Sequence, residues 1–93
     1  MGTKTEKKEK SEVEEILSQP YKLILGNDDY NTFDWVITCL MKVCNHDYIQ
    51  AEQSAYIVHH NNKCDVKYGD LETITIMKNK LINAGLCATM EEN

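Results

Sequence analysis

The period of apolar positions changes repeatedly along this chain, and each change marks an element. Tyr21-Lys22-Leu23-Ile24-Leu25 alternates in part and reads as a strand. Gly26-Asn27-Asp28-Asp29 follows, a cluster that ends strands and tolerates unusual backbone angles. Thr32 can cap a helix, with Asp34 in a first turn that favours negative charge. Val36, Leu40, Val43 and Cys44 then form a helical stripe, with Phe33 one turn earlier. Asn45-His46 breaks it. Asp47 can cap a second helix, with Gln50 at the reciprocal box position and Tyr48, Ala51, Ala55 and Val58 as its buried stripe. His59-His60-Asn61-Asn62 ends that helix. Cys64, Val66 and Tyr68 alternate with Asp65 and Lys67, the mark of a half-buried strand. Asp70 caps a third helix with the stripe Leu71, Ile74, Met77 (or Lys78) and Leu81. Gly85 suits the left-handed position past its end, and Leu86 to Met90 can close the sheet. The predicted order is βααβαβ, an α+β domain with a small sheet and three helices on one face.

Composition narrows the function. Ten lysines, no arginine and 15 acidic residues give a net charge of −5. A nucleic-acid binder or an anionic-membrane binder needs clustered cations, which this chain lacks. With 93 residues there is room for one domain. Residues 2–12, GTKTEKKEKSE, hold no large apolar side chain and cannot offset their own ordering entropy. Residues 1–18 are therefore expected to be a flexible charged tail, although Val13, Ile16 and Leu17 have the spacing of a short turn. The compact domain is expected over 19–93. The lysine/glutamate-rich start has no apolar core, so it does not read as a secretory signal, and the expectation is a reduced, cytoplasmic compartment.

Candidate chemistry is sparse. Cys39, Cys44, Cys64 and Cys87 form no C-x-x-C pair, and Cys44-x-His46 and His59-x4-Cys64 match no standard zinc spacing. The thiols read as small core residues, and neither a metal nor another cofactor is expected. A hydrolase using Cys44 or Cys64 would need a fixed base and an oxyanion turn, and the sequence suggests neither. Two places stand out. One is Asn27-Asp28-Asp29, which could equally be a solvated turn. The other is His59 beyond an apolar helix face, which could equally be structural.

Taken together, these places form a pattern. Tyr21-Lys22, Ile24-Leu25, Asn27-Asp28-Asp29-Tyr30 and Asn31 to Val36, then Val58-His59 about thirty residues on, and a terminal Cys87-Ala88-Thr89-Met90-Glu91, resemble the ClpS family of proteolytic adaptors. The resemblance spans Pro20 to Glu91. It implies a βααβαβ fold with an antiparallel sheet and a non-enzymatic role. Family members carry N-degron substrates to a Clp AAA+ unfoldase of the ClpA or ClpC kind and its peptidase. They bind a free α-amino group together with a bulky first side chain. Carried across, Asn27, Asp29 and the neutral imidazole of His59 would accept from the ammonium, with Asp28 supplying charge or setting the turn. Asn31, Phe33, Val36, Ala55, Val58 and Leu86 would wall the side-chain pocket. Glu72 matches an acidic unfoldase-docking position. The chain departs from the family at Phe33 and Ala55, where methionines are usual, at Thr32 in place of a proline, and at Met77 in place of a lysine. The runner-up reading is a diverged ClpS-like interaction domain with altered or lost N-degron specificity.

Overall fold

A computed structural model describes residues 11–93, and the first ten residues of the expected tail lie outside them. The order is α1 (Glu12–Ser18), β1 (Tyr21–Gly26), α2 (Phe33–Cys44), α3 (Tyr48–Asn61), β2 (Lys63–Gly69), α4 (Leu71–Asn83) and β3 (Cys87–Glu92). The sheet runs β2-β1-β3, with β1 antiparallel to both neighbours. This is the expected α+β fold with one helix added at its start.

That helix, α1, lies inside the stretch read as tail. Ser11 and Glu14 close a reciprocal capping box, which outweighs the unfavourable composition locally. No residue of α1 is buried. Its far end is tied down by Asn93, whose side-chain amide donates to the Ile16 and Gln19 carbonyls at 2.7 and 3.0 Å.

The other helices begin where their caps predicted. Thr32 Oγ1 accepts from Trp35 N, Asp47 Oδ1 from Gln50 N, and Asp70 Oδ1 from Thr73 N. Asn45 and Asn62 end α2 and α3 at positive φ, a conformation that asparagine tolerates better than most residues. At the end of α4, Leu86 N donates to Leu81 O and Gly85 N to Ile82 O. This double closure requires the left-handed Gly85, at φ +93°. It turns Leu86 back into the core.

Leu23 and Leu25 of β1 point into the helical layer and meet Leu40, Cys44, Ile74 and Leu81, all essentially inaccessible. Several stripe assignments change. Tyr48 and Leu71 each occupy the first helical position and are half exposed, outside the layer they were expected to fill. Ile37 and Ser54 are buried without having been expected. For Ile37 the reason is that α2 packs against both α3 and α4, so its buried arc is wider than one stripe. The register of β2 slips by one residue opposite Leu23/Ile24, leaving Val66 as the extra residue. The Val66 carbonyl takes a hydrogen bond from His46 Nε2 at 2.7 Å, which fixes that buried ring. Cys39 and Cys44 are core residues as expected, whereas Cys64 is half-buried and Cys87 exposed. No helix among the described residues is long and apolar enough to cross a membrane.

Candidate functional site

The β1–α2 loop is built on Asp28. Its Oδ1 accepts from the backbone of Tyr30 and of Asn31, both at 2.8 Å, and its Oδ2 accepts from Asn31 Nδ2 at 3.0 Å. Partial burial pushes this carboxyl up, but the bonds from Asn31 and Tyr30 outweigh it and hold Asp28 below the ordinary carboxylate range. A depressed native pKa means that Asp28 stabilises the fold above about pH 3.8 and stops doing so as pH falls through its lower native value. In urea unfolding, Asp28→Ala is therefore expected to cost stability near neutral pH. The gap from the parent chain should narrow in strong acid. A constant gap would mean that the carboxylate charge is not what holds the loop.

Asn31 continues the chain of bonds. The same Nδ2 donates to Gly85 O at 2.8 Å, which joins the loop to the α4–β3 turn. Trp35 Nε1 makes a second tie, to Ala84 O at 3.0 Å. The two bonds clamp the end of α4 against the start of α2. From the opposite side, Asn27 N donates to Asn62 O at 2.9 Å and holds the loop to the end of α3. Nothing in the sequence marked Trp35, Ala84 or Gly85 as supports, because their partners are about fifty residues away.

Inside this frame lies a partly enclosed hollow of about 340 Å³. Asn27, Asp28, Asp29 and His59 lie along it, from the loop and the end of α3. Its apolar wall is Val36 and Phe33 from α2, Ala55 and Val58 from α3, and Leu86 from the α4–β3 turn, with Asn31 at the loop. Every residue expected to contact the α-amino group or its side chain thus borders one space. Leu25 and Gly26, the end of β1, also line it without having been expected. Among the described residues, the Asp29 carboxylate makes no hydrogen bond or ion pair, in contrast to Asp28. Glu72 is elsewhere, exposed in the first turn of α4. Met77 is half-buried and packs on the core, so this position carries an apolar contact where a lysine would present a charge.

Cys44 and Cys64, the two cysteines a hydrolase would have used, make poor nucleophiles. Burial pushes the Cys44 thiol up to about 11, against a smaller opposing pull from Lys67, and burial likewise raises Cys64. A thiol held protonated is a weak nucleophile. Among the described residues, no three His, Cys, Asp or Glu side chains converge as a metal site.

Comparison with known proteins gives the same direction. Residues 17–89 match the family model described as "ATP-dependent Clp protease adaptor protein ClpS". The ClpS adapter of Campylobacter jejuni subsp. jejuni strain 81-176 is 36% identical over 84 residues, covering 82% of this chain and 88% of that protein. The ClpS adapter of Thermosynechococcus vestitus is 37% identical over 67 residues, 71% of each chain. The fold is similar to that of Agrobacterium tumefaciens ClpS2 bound to L-phenylalaninamide, with a TM-score of 0.69 and 20% identity over 81% of this chain and 98% of that one. The family match over most of the chain and the identity to its curated members lead to one conclusion: this chain belongs to the ClpS family, and it is an adaptor of the Clp protease, not an enzyme.

Proposed function

We propose that this adaptor binds the free amino terminus of substrate proteins whose first residue is bulky and apolar, and presents them to a Clp AAA+ unfoldase. The observation that carries this reading is the hollow itself, which pairs an unengaged carboxylate with an apolar recess. An α-ammonium carries several donors and needs oxygen or imidazole acceptors close together. Asn27 Oδ1, the Asp29 carboxylate and His59 supply that set at the rim. Asp28 already accepts three bonds within the loop, so its part is to shape the turn. The first side chain enters between Phe33, Val36, Ala55, Val58 and Leu86, where burying it contributes roughly 1.5–3 kcal/mol. An internal bulky residue brings an amide in place of the ammonium, and Asp29 would then be desolvated without a charged partner. The ligand held by the Agrobacterium protein, L-phenylalaninamide, has the two features this site would select, an amino group and an aromatic side chain.

The unfoldase would dock on a separate surface that includes Glu72, exposed on α4. Met77 leaves that surface without the family's cation, so its contacts there would differ from those of the lysine-bearing relatives.

The test compares a labelled peptide beginning with Leu or Phe in its free and acetylated forms. Binding of the free peptide and loss on acetylation is the expected result. Equal binding of the two would refute the α-amino reading and favour an interaction domain for another motif.

A further inference from the structure

Beside the hollow, on the other side of a ridge made by Phe33 and His59, lies an open groove of about 530 Å³. Phe33 and His59 border both spaces. The remaining walls are Tyr56 and Ile57, with Glu52 and Gln53, all from α3. Tyr56 and Ile57 are exposed at 59% and 41%, far more than a core requires. The groove is nevertheless ordered. The Tyr56 ring meets Phe33 edge-on at 6.5 Å and lies 4.3 Å from the His60 ring, which in turn meets His59 at 5.2 Å. A wall of mutually packed rings loses little freedom when a ligand covers it.

We infer that this groove is a second subsite of the same peptide, taking the side chain of its third residue when that side chain is aromatic or otherwise large and apolar. The inference rests on the proposed binding of the first residue in the hollow. Given that start, the chain leaves across the Phe33–His59 ridge. Successive side chains of an extended peptide alternate sides, so the first and third face the protein together, roughly 6.6 Å apart. That spacing suits two recesses separated by a single row of side chains. The second side chain then points to solvent. The groove's chemistry selects further. Its lining is aromatic and aliphatic, and its charged wall group is the Glu52 carboxylate. An acidic third residue is repelled, and a small one leaves the rings uncovered. The adaptor therefore reads a short pattern and not just one residue: bulky first, unrestricted second, bulky apolar third.

The test uses full-length protein and free-amino peptides beginning Leu-Gly-Phe, Leu-Phe-Gly, Leu-Gly-Gly and Leu-Gly-Asp, with acetylated Leu-Gly-Phe as control. Leu-Gly-Phe is expected to bind about tenfold more tightly than Leu-Gly-Gly, as partial burial of a ring would give. Leu-Phe-Gly should match Leu-Gly-Gly, and Leu-Gly-Asp should be weaker. Ile57→Ser should remove the advantage of phenylalanine at the third position and leave Leu-Gly-Gly binding unchanged. Glu52→Lys should relieve the penalty on Leu-Gly-Asp, a charge exchange on the surface that does not depend on core packing. The subsite is overturned if Leu-Gly-Phe and Leu-Gly-Gly bind equally while acetylation still abolishes binding. It is overturned as well if the advantage appears at the second position, or survives Ile57→Ser. If acetylation has no effect, the first-residue reading fails and this inference falls with it.

Discussion

Asp29→Ala is expected to weaken binding of a free-amino, Leu-first peptide by roughly 10- to 100-fold without lowering the stability of the protein. The size follows from losing one charge-assisted hydrogen bond to an ammonium, about 1.5–3 kcal/mol. Stability should hold because the Asp29 carboxylate has no hydrogen-bond or ion-pair partner among the described residues that the substitution would break. The neighbouring substitution should behave differently. Asp28→Ala releases the Tyr30 and Asn31 amides and one tie of the Asn31 side chain. Its loss of binding should therefore accompany a lower unfolding midpoint. Asp28→Asn is expected to recover part of both, because an amide oxygen can still accept from the two backbone donors. Isothermal titration beside urea unfolding separates the two residues. If Asp29→Ala destabilises the protein as much as Asp28→Ala does, the two carboxylates share the structural task and the division of roles is wrong.

The sequence showed different parts of this to different degrees. Helix starts were legible because a cap is a local device. Thr32, Asp47 and Asp70 each bond a backbone amide three residues on, whatever surrounds them. The capping box at Ser11 and Glu14 was equally local, but the charged composition around it argued for a tail. Faces were harder than starts. A stripe identifies one side of a helix, but not how many neighbours press on it or whether its first residue reaches the core. Ile37 became buried because α2 has two helical neighbours, and Tyr48 and Leu71 stayed out because they begin their helices.

The site divides in the same way. Asn27-Asp28-Asp29 and His59 were visible as oddities, yet spacing alone did not join residues about thirty positions apart. The family resemblance implied a shared role for them, and the bond from Asn27 N to Asn62 O, which holds the loop to the end of α3, helps to put them around one space. The split between Asp28 and Asp29 was partly legible. An aspartate that can bond amides two and three residues ahead is an Asx turn, and Asp28 stands in that relation to Tyr30 and Asn31. The clamp from Asn31 and Trp35 to the α4–β3 turn was not legible, since it depends on which loops meet in space. The groove along Tyr56 and Ile57 was hidden for a related reason. Exposed apolar residues scattered on a helix are unremarkable until the structure shows that two of them line a groove bordered by Phe33 and His59 of the site.

Ala55→Met is expected to invert the preference among first residues. Ala55 is buried at the wall of the hollow, where the family resemblance implies a methionine. A methyl group fills less of that wall than a methionine side chain would, and the largest rings gain most from the extra space. The parent chain should accordingly bind Trp-first and Phe-first peptides at least as well as Leu-first ones. Methionine at this position would grow into the hollow and not into the packed interior, so the fold should lose no more than about 1 kcal/mol. A tryptophan ring forced against that side chain should lose about 1–3 kcal/mol, or roughly 5- to 100-fold in affinity. Leucine, being shorter, should change little. The quantity to measure is the ratio of Trp-first to Leu-first affinity in the two proteins, because a general loss of folded protein cancels from it. A ratio unchanged by the substitution would place the first side chain somewhere other than against α3. The wall formed by Phe33, held edge-on by Tyr56 at 6.5 Å, would then be the surface that sets specificity.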